Sequence, residues 1–215
     1  MKPPFPVGIS ECLTGAQVRY DGKGKSEAYP FDVLKEVFSL TPVCPEVGIG
    51  LSVPRSPIRL VRTAIGTRAV GVFDKSQDVT DQLEAYGEQK RASLCGFIFM
   101  ERSPSCGLNS TKVHNLDGGV AMGLVRGMFA RTFVASHPYL PCVEAQALWD
   151  EENRNKYIKK VSIYSHWQEV INNGSTEEER LSFCTSYQSL ITQELLPENP
   201  LKQLMLGLSD DSDRR

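Results

Sequence analysis

Apolar stretches alternate with amphipathic ones over the first 135 residues, and this alternation predicts strands and helices in turn. Short apolar runs bounded by turn residues indicate buried strands, whereas apolar residues three or four positions apart indicate helices. The predicted strands are 7–12, 40–44, 58–61, 69–73 and 95–100, and the predicted helices are 30–38, 80–94 and 120–135. The strands at 58–61 and 69–73 are expected to pair around Gly66 and Thr67, and Asp78 or Thr80 is expected to cap the second helix.

The pattern changes near His137 and Pro138, and it is purely helical from Asp150 onward. A helix from about residue 150 should stop at Asn172–Gly174, and Thr176 with Glu179 forms a capping box that opens the next helix. That helix should end before Pro197. A short helix over 201–208 and a polar tail over 209–215 complete the chain. We therefore predict an α/β domain over 1–136, a helical extension over 137–208 and a disordered tail over 209–215.

Strands that alternate with helices favour a three-layer, Rossmann-like sandwich with a largely parallel sheet. In such sheets ligands bind at the carboxyl ends of the strands. Three of the predicted strands run into a cysteine there: Cys12 and Cys44 end two of them, at 7–12 and 40–44, and Cys106 lies in the turn after the strand at 95–100. We expect these three thiols to meet at one edge of the sheet.

Composition and charge reduce the number of functions and partners that this protein could have. The 215 residues carry a formal net charge of −2, so nothing favours binding to a nucleic-acid duplex. No run of 18 apolar residues or signal-peptide pattern is present, which predicts a cytoplasmic protein with no membrane partner. In that compartment six cysteines are not naturally paired as disulfides. Metal binding, catalysis and plain burial stay open.

Three converging thiolates suit few metal sites. A structural zinc site usually has closely paired cysteines, which this chain lacks. A 4Fe–4S cluster normally takes four thiolates, so three would leave one iron open to act as a Lewis acid. Inert buried thiols are the alternative. Cys95 opens a strand and is expected in the core; Cys142 and Cys184 fall in the helical extension, Cys142 being a weak candidate for a fourth ligand. The histidines, His114, His137 and His166, show no ligand spacing.

Three separate motifs resemble the thiouracil desulfidase family, a small iron–sulfur domain of formerly unknown function. They are Gly8-Ile-Ser-Glu-Cys-Leu-Thr-Gly15 with Val18-Arg-Tyr-Asp-Gly22, Cys44-Pro-Glu46 with Pro54-Arg55, and Glu101-Arg-Ser-Pro-Ser-Cys-Gly107. The resemblance covers about residues 6–130. Residues 133–167 are similar to the start of a helical domain of unknown function that is often fused to this family. Its usual acidic-Gly-Arg stretch reads Glu144-Ala-Gln-Ala-Leu148 here.

The resemblance implies an oxygen-sensitive 4Fe–4S cluster held by Cys12, Cys44 and Cys106. Its open iron would take the sulfur of a thiolated pyrimidine such as 2-thiouracil. Water would then replace that sulfur, which leaves as sulfide without a redox step. Glu46 is our candidate for the base that activates the water, and its alternative role is a helix or turn cap.

Ser103 and Ser105 could donate hydrogen bonds to a cluster sulfide or to developing negative charge. Simple turn chemistry is their alternative role. The substrate-binding candidates are Ser10, Glu11, Arg19, Tyr20 and Asp21. Two other functions stay open: a cluster-bearing sulfur carrier or transferase, and a non-catalytic module that binds thiolated bases. The expected partner is a small thiolated base, and the oligomeric state is open, a homodimer included.

Overall fold

Two four-stranded sheets organise the described part of the chain. The computed structural model describes residues 4–25, 31–89, 93–117, 119, 121–174, 176, 178–179, 182–183 and 185–186. The strands are β1 (Phe5–Ser10), β2 (Phe38–Val43), β3 (Ile58–Thr63), β4 (Gly66–Gly71), β5 (Gly96–Phe99), β6 (Thr111–His114), β7 (Ala121–Val125) and β8 (Cys142–Glu144). The helices are α1 (Phe31–Val37), α2 (Pro45–Gly48), α3 (Thr80–Gln89), α4 (Met128–Ser136) and α5 (Glu151–Asn172), and 3-10 helices span Glu11–Thr14 and Ala145–Trp149.

The first sheet has the strand order β2-β1-β5-β8, and every neighbouring pair in it is parallel. The prediction of an α/β fold with a parallel sheet is therefore confirmed. Both faces of this sheet are covered by other parts of the chain. Side chains alternate along a strand, so neighbouring residues of β5 belong to opposite faces. Phe97 and Phe99 pack with Phe129 of α4 on one face, while Ile98 packs with Tyr157 and other core residues on the opposite face.

The second sheet has the order β4-β3-β6-β7 and is mixed. β3 and β4 form an antiparallel hairpin, as predicted, but its loop lies at Ala64 and Ile65 because Thr63 already pairs with Gly66. β6 joins β3 in parallel and pairs with β7 in antiparallel fashion. Side chains of β3 and β6 pack with Leu83 of α3 in a separate core cluster.

The predicted helix over 120–135 is wrong in its first half. Residues Ala121–Val125 form strand β7, and α4 starts only at Met128. Gly123 adopts a φ of +148° and Gly127 an extended conformation, and both are incompatible with a continuous helix. Leu124, whose spacing suggested a helix face, is exposed on this edge strand, and so is Met122.

The other helix predictions hold with small shifts. Asp78 caps α3: its Oδ1 accepts a hydrogen bond from the Thr80 backbone N at 3.0 Å. α3 spans Thr80–Gln89 among the described residues, and residues 93 and 94 are not helical. α5 ends at Asn172 and is followed by Gly174 at a φ of +69°. The capping box is confirmed, since Thr176 N donates to Glu179 Oε2 at 2.8 Å and Glu179 N donates to Thr176 Oγ1 at 3.3 Å.

Several predictions fall on residues outside the described part: the end of the helix before Pro197, the helix over 201–208, the tail over 209–215, and Cys184. The domain boundary at residue 136 stays a prediction, and the structure adds that β8, which follows it, pairs with β5. Among the described helices, none combines the length and the apolar character that crossing a membrane would need.

Candidate active site

A cavity of about 440 Å³ lies at the carboxyl edge of the parallel sheet. Its walls come from the ends of β1, β2 and β5 and from the loops that follow them, as the parallel topology predicts. Cys12, Cys44 and Cys106 all line it. The sheet therefore brings together three cysteines that are 32 or more positions apart in sequence.

Cys12 lies in the 3-10 helix that follows β1 directly. Its carbonyl accepts hydrogen bonds from Lys25 N at 2.7 Å and from Gly15 N at 3.4 Å, so the loop over 15–25 closes back onto it. Gly15 makes this return possible, because its φ of 94° lies in the left-handed region that favours glycine.

Cys44 is the residue between β2 and α2, and it occupies the N-cap position of α2. Pro45 follows at the first helical position, where a missing N–H costs nothing. The Cys44 Sγ lies 3.9 Å from the carbonyl oxygen of Val18 and can donate to it weakly. This contact ties the second cysteine to the loop that carries Arg19 and Tyr20.

Cys106 lies in the turn that follows β5 and is 6% exposed. The Ser103 hydroxyl oxygen holds this turn by accepting hydrogen bonds from Cys106 N at 3.0 Å and Ser105 N at 3.3 Å. Thr111 Oγ1 donates to the Ser103 carbonyl at 2.7 Å. The turn chemistry considered for Ser103 is therefore present, and it fixes the backbone that carries the third thiol.

The three thiols act on one another electrostatically. Burial, followed by the charge of Cys44, raises the pKa of the Cys12 thiol to about 12. Burial also raises the pKa of Cys44. The pKa of Cys106 is raised well above its ordinary value by burial and by the charges of Cys12 and Cys44, while the nearby Ser10 hydroxyl opposes the rise. Without a bound cation the three groups are neutral thiols at pH 7.

Glu46 lies on the cavity wall with both carboxylate oxygens engaged. Oε2 accepts from Arg55 Nε at 2.8 Å and pairs with Arg55 Nη2 at 2.7 Å. Oε1 accepts from the Ser105 hydroxyl at 2.8 Å. The side chains of Arg55 and Glu46 are 6% and 14% exposed, so this is a largely buried ion pair in one defined orientation.

The other predicted site residues divide into two groups. Ser10, Glu11, Arg19, Tyr20 and Ser103 line the cavity together with the cysteines and Glu46. Ser10 is 1% exposed and accepts from Met100 N at 2.9 Å, whereas Tyr20 is 41% exposed. The Arg19 guanidinium lies 5.6 Å from the centre of the Tyr20 ring, within range of a cation–π contact.

Asp21 and Ser105 do not line the cavity. Asp21 Oδ1 accepts from Lys23 N at 3.1 Å and so shapes its own exposed loop. Ser105 is fully buried behind Glu46.

Sequence reasoning missed several cavity residues. Arg55 belongs to a quoted motif, but its pairing with Glu46 across nine positions has no periodic signal. Met100 and Glu101 also line the cavity, and Glu101 is 5% exposed. A carboxylate directly after the apolar run over 97–100 is the sequence signal that could have drawn attention to Glu101.

The remaining cysteines and histidines lie elsewhere. Cys95 is buried in the core, as expected. Cys142 belongs to strand β8 rather than to a helical extension, and it does not line the cavity. The His114 and His137 rings contact the carbonyls of Gly119 and Phe133 at 2.8 Å, and the His166 ring packs against Phe183.

The cavity lining offers soft thiol donors for a metal centre. Within the described ranges, no group of three His, Cys, Asp or Glu side chains is placed to hold one metal ion. A single zinc ion would need its thiolates at ~2.3 Å from one common point. A cluster with one iron for each thiolate has no such requirement. Three cavity-lining thiols from separate strands are the donor type that an iron–sulfur cluster takes.

Fold and cavity place the chain among α/β proteins whose parallel sheet carries a thiol-lined site at its carboxyl edge. The sequence model of the 2-thiouracil desulfurase family matches residues 7–145, and the chain belongs to that family. The family prediction is thus confirmed.

A solved structure of a 4Fe–4S-dependent thiouracil desulfidase, TudS, is similar to this chain. The two share 27% sequence identity at a TM-score of 0.51, over 67% of this chain and 93% of TudS. A search of curated proteins found none that matches this sequence.

Proposed function

We propose that this protein is a 4Fe–4S-dependent desulfidase that removes sulfur from a thiolated pyrimidine and releases it as sulfide. One observation carries the proposal: the parallel sheet brings Cys12, Cys44 and Cys106 to a single cavity that also contains Glu46. Membership of the 2-thiouracil desulfurase family and the similarity to TudS support the same cofactor and substrate class.

The three cysteines would hold the cluster as thiolates. When bound, the cluster supplies one iron without a protein ligand, a Lewis acid with affinity for the thiocarbonyl sulfur. The overall reaction exchanges a C=S bond for a C=O bond, consumes one water and yields hydrogen sulfide, so no electron donor or acceptor is needed. The protein must therefore place water and accept its proton.

Glu46 is the group that we assign to the proton transfer. Arg55 occupies Oε2 with two donors, so Oε1 is the oxygen that has room for a further partner. A carboxylate oxygen has two lone pairs, and Ser105 uses only one of them on Oε1. The second lone pair can accept the proton of a water in the cavity.

Ser105 and Ser103 then have different roles. Ser105 is fully buried, and its hydroxyl donates a hydrogen bond to Glu46. It therefore orients the base and does not contact the substrate. Ser103 lines the cavity and accepts two backbone hydrogen bonds, which leaves its own hydroxyl proton for a group in the cavity. That proton can stabilise negative charge that develops on the substrate.

The substrate ring would enter past Arg19 and Tyr20 at the exposed side of the cavity. An aromatic face and a guanidinium both suit a planar, polar base. Glu11 and Ser10 line the wall near Cys12 and could accept or donate along a pyrimidine edge. Asp21 would act indirectly, by holding the loop of Arg19 and Tyr20.

The first test is the metal content of protein purified without oxygen. We expect about four irons and about four acid-labile sulfides per chain, as for one 4Fe–4S cluster. A Cys106→Ala variant should lose most of both. The loaded parent should convert 2-thiouracil and release free sulfide. A parent that binds no iron after anaerobic reconstitution, or that passes sulfur only to an added acceptor, would contradict the proposal.

A Glu46→Gln variant tests the assignment of the base. The amide keeps the shape of the side chain but cannot take the proton, so we expect kcat to fall by about 10²–10⁴-fold. Iron content should stay at the parental level, because Glu46 is not a proposed ligand. Glu88→Gln, on the exposed face of α3, is the control. Parental kcat in Glu46→Gln would remove Glu46 from this role.

A further inference from the structure

Glu144 is the last residue of β8, and one of its carboxylate oxygens accepts three hydrogen bonds from the loop over 108–110. Its Oε1 accepts from Leu108 N at 2.7 Å, from Asn109 N at 3.1 Å and from the Ser110 hydroxyl at 2.6 Å. Successive backbone N–H groups that point at one anion form a nest, and hydrogen bonds to a charged acceptor are stronger than neutral ones. This loop begins two residues after Cys106.

Ser110 extends the same network to the other end of the Cys106 turn. Its hydroxyl oxygen accepts a hydrogen bond from Arg102 N at 2.7 Å, and the same hydroxyl donates a hydrogen bond to Glu144. Arg102 has a φ of 59°, a left-handed conformation that is costly for a residue with a side chain. Among the described residues other than glycine, Arg102 alone has a positive φ. The segment over 102–110 is thus linked to the Glu144 carboxylate at both ends, directly at Ser110 and through the Ser110 hydroxyl at Arg102.

The carbonyl groups of this segment have other partners. Arg126 Nε donates to Leu108 O at 2.9 Å, Gly127 N donates to Gly107 O at 2.8 Å, and Met128 N donates to Pro104 O at 3.0 Å. These contacts come from the start of α4 and hold one side of the turn. Glu144 satisfies the amide groups of Leu108 and Asn109 instead, so the two sets of contacts are complementary.

We propose that Glu144 is a positioning residue for Cys106, one that holds the third thiol against the cavity before any cluster binds. The proposal rests on the proposed function for the claim that Cys106 is a ligand. A metal centre depends on partners that orient its ligands, and removing them weakens it although they touch no metal. Glu144 lies on the strand that leads through the 3-10 helix Ala145–Trp149 into α5. It therefore connects the C-terminal part of the chain to the site.

The test compares the parent with Glu144→Ala and Glu144→Gln, first in the cluster-free, reduced state. The rate at which iodoacetamide modifies each cysteine is read by peptide mass spectrometry. Cys106 is only 6% exposed, so opening of the turn should speed its reaction. In Glu144→Ala we expect Cys106 to react about tenfold faster or more, with Cys12 and Cys44 unchanged, because three hydrogen bonds that resist opening are gone. Glu144→Gln keeps an acceptor oxygen and should restore most of the protection.

Glu152→Ala, an exposed glutamate on α5, is the matched control and should leave every rate unchanged. Ser110→Ala removes the hydrogen bonds of the hydroxyl with Arg102 and Glu144 but leaves the two backbone donors on Glu144. It should give a smaller increase at Cys106, which keeps the test decisive if Glu144→Ala does not fold. Unchanged Cys106 rates in folded Glu144 and Ser110 variants, or equal increases at all three cysteines, would overturn the proposal.

Anaerobic reconstitution gives the second measurement. We expect Glu144→Ala to bind less iron than the parent and to show an altered electron paramagnetic resonance spectrum, and Glu144→Gln to approach the parent in both. A parental spectrum with full iron content in Glu144→Ala would contradict the role of Glu144 and leave the proposed function intact. If the parent itself binds no iron, the proposed function fails, and the alkylation rates still decide whether Glu144 holds Cys106.

Discussion

Single residues show where this fold leaves a polar group in its core. Tyr157 is 3% exposed and packs against Phe38, and in the described part of the chain its hydroxyl has no hydrogen-bond partner. Burial raises its pKa well above the ordinary value, so the phenol is neutral. A buried hydroxyl without a partner carries a desolvation cost that its ring does not.

We therefore expect Tyr157→Phe to keep or raise the free energy of unfolding, by up to about 1 kcal/mol. Tyr164→Phe is the control, because the Tyr164 hydroxyl accepts from Gln168 Nε2 at 2.8 Å and its removal should cost about 1 kcal/mol. Urea unfolding of the three proteins measures both changes. A loss of stability in Tyr157→Phe as large as that in Tyr164→Phe would show that the Tyr157 hydroxyl has a partner.

We expect the buried thiol of Cys142 to make the free energy of unfolding depend on pH in the alkaline range. Burial raises the pKa of its thiol from 9.0 to about 12, although Arg126 acts in the opposite direction. Above about pH 9 the unfolded chain gives up this proton while the folded chain keeps it, so the unfolded state binds fewer protons. The free energy of unfolding therefore falls as the pH rises from 9 towards 12.

Urea titrations of the cluster-free protein at pH 8, 9 and 10 measure this slope. Tyrosines and lysines also titrate there, so the comparison is between the parent and Cys142→Ala. The variant should lose less stability than the parent between pH 8 and pH 10. Identical slopes would mean that Cys142 ionises normally in the folded state.

At the scale of elements, the start of α4 fits against the Cys106 turn without room for a side chain. A Cβ on Gly127 would lie 2.6 Å from the carbonyl carbon and oxygen of Ser105 and 2.9 Å from Pro104 O. These are backbone atoms, which cannot move aside as a flexible side chain could. The contact joins a helix of the core to the loop that carries a proposed ligand.

Gly127→Ala should therefore lower the free energy of unfolding by about 1–3 kcal/mol and reduce the iron bound on anaerobic reconstitution. Gly119→Ala is the matched control, since its nearest contacts would be Asn115 side-chain atoms at 3.3 Å. Chemical unfolding and iron analysis give the two readouts. Parental values for Gly127→Ala in both would show that the turn can shift freely.

At the scale of the whole molecule, α5 completes the core beneath the parallel sheet. Tyr157 and Val161 lie in one buried cluster with Val7, Ile9 and Ile98. Part of this cluster would face water if α5 were absent, and exposed apolar area costs about 25 cal/mol for each Å². The helix that follows the α/β part is therefore a structural component of it.

A chain cut after residue 150 should bind a hydrophobic dye and lose its cooperative thermal transition. A chain cut after residue 174 keeps α5 and serves as the control. Dye fluorescence and circular dichroism on heating separate the two outcomes. A cooperative transition at the parental temperature in the shorter chain would show that the first 150 residues fold alone.

The alternation of apolar runs and helical spacing was sufficient to predict the parallel α/β fold, because the central strands β1 and β5 are buried on both faces. It failed at β6, β7 and β8. β6 and β8 have only four and three residues, and β7 is an exposed edge strand, so none of them has a periodic pattern long enough to detect. The apolar residues of β7 then resembled the start of a helix.

By itself the sequence determined which cysteines come together, since each follows a buried strand and parallel strands end at one edge. It also determined the Ser103 turn, whose contacts lie within a few residues of one another. Only the tertiary structure decided the pairing of Glu46 with Arg55 and Ser105, and that of Glu144 with the Cys106 loop. Those partners lie between 9 and 59 positions apart, and a hydrogen bond at such a separation depends on how the chain packs, which no local pattern records.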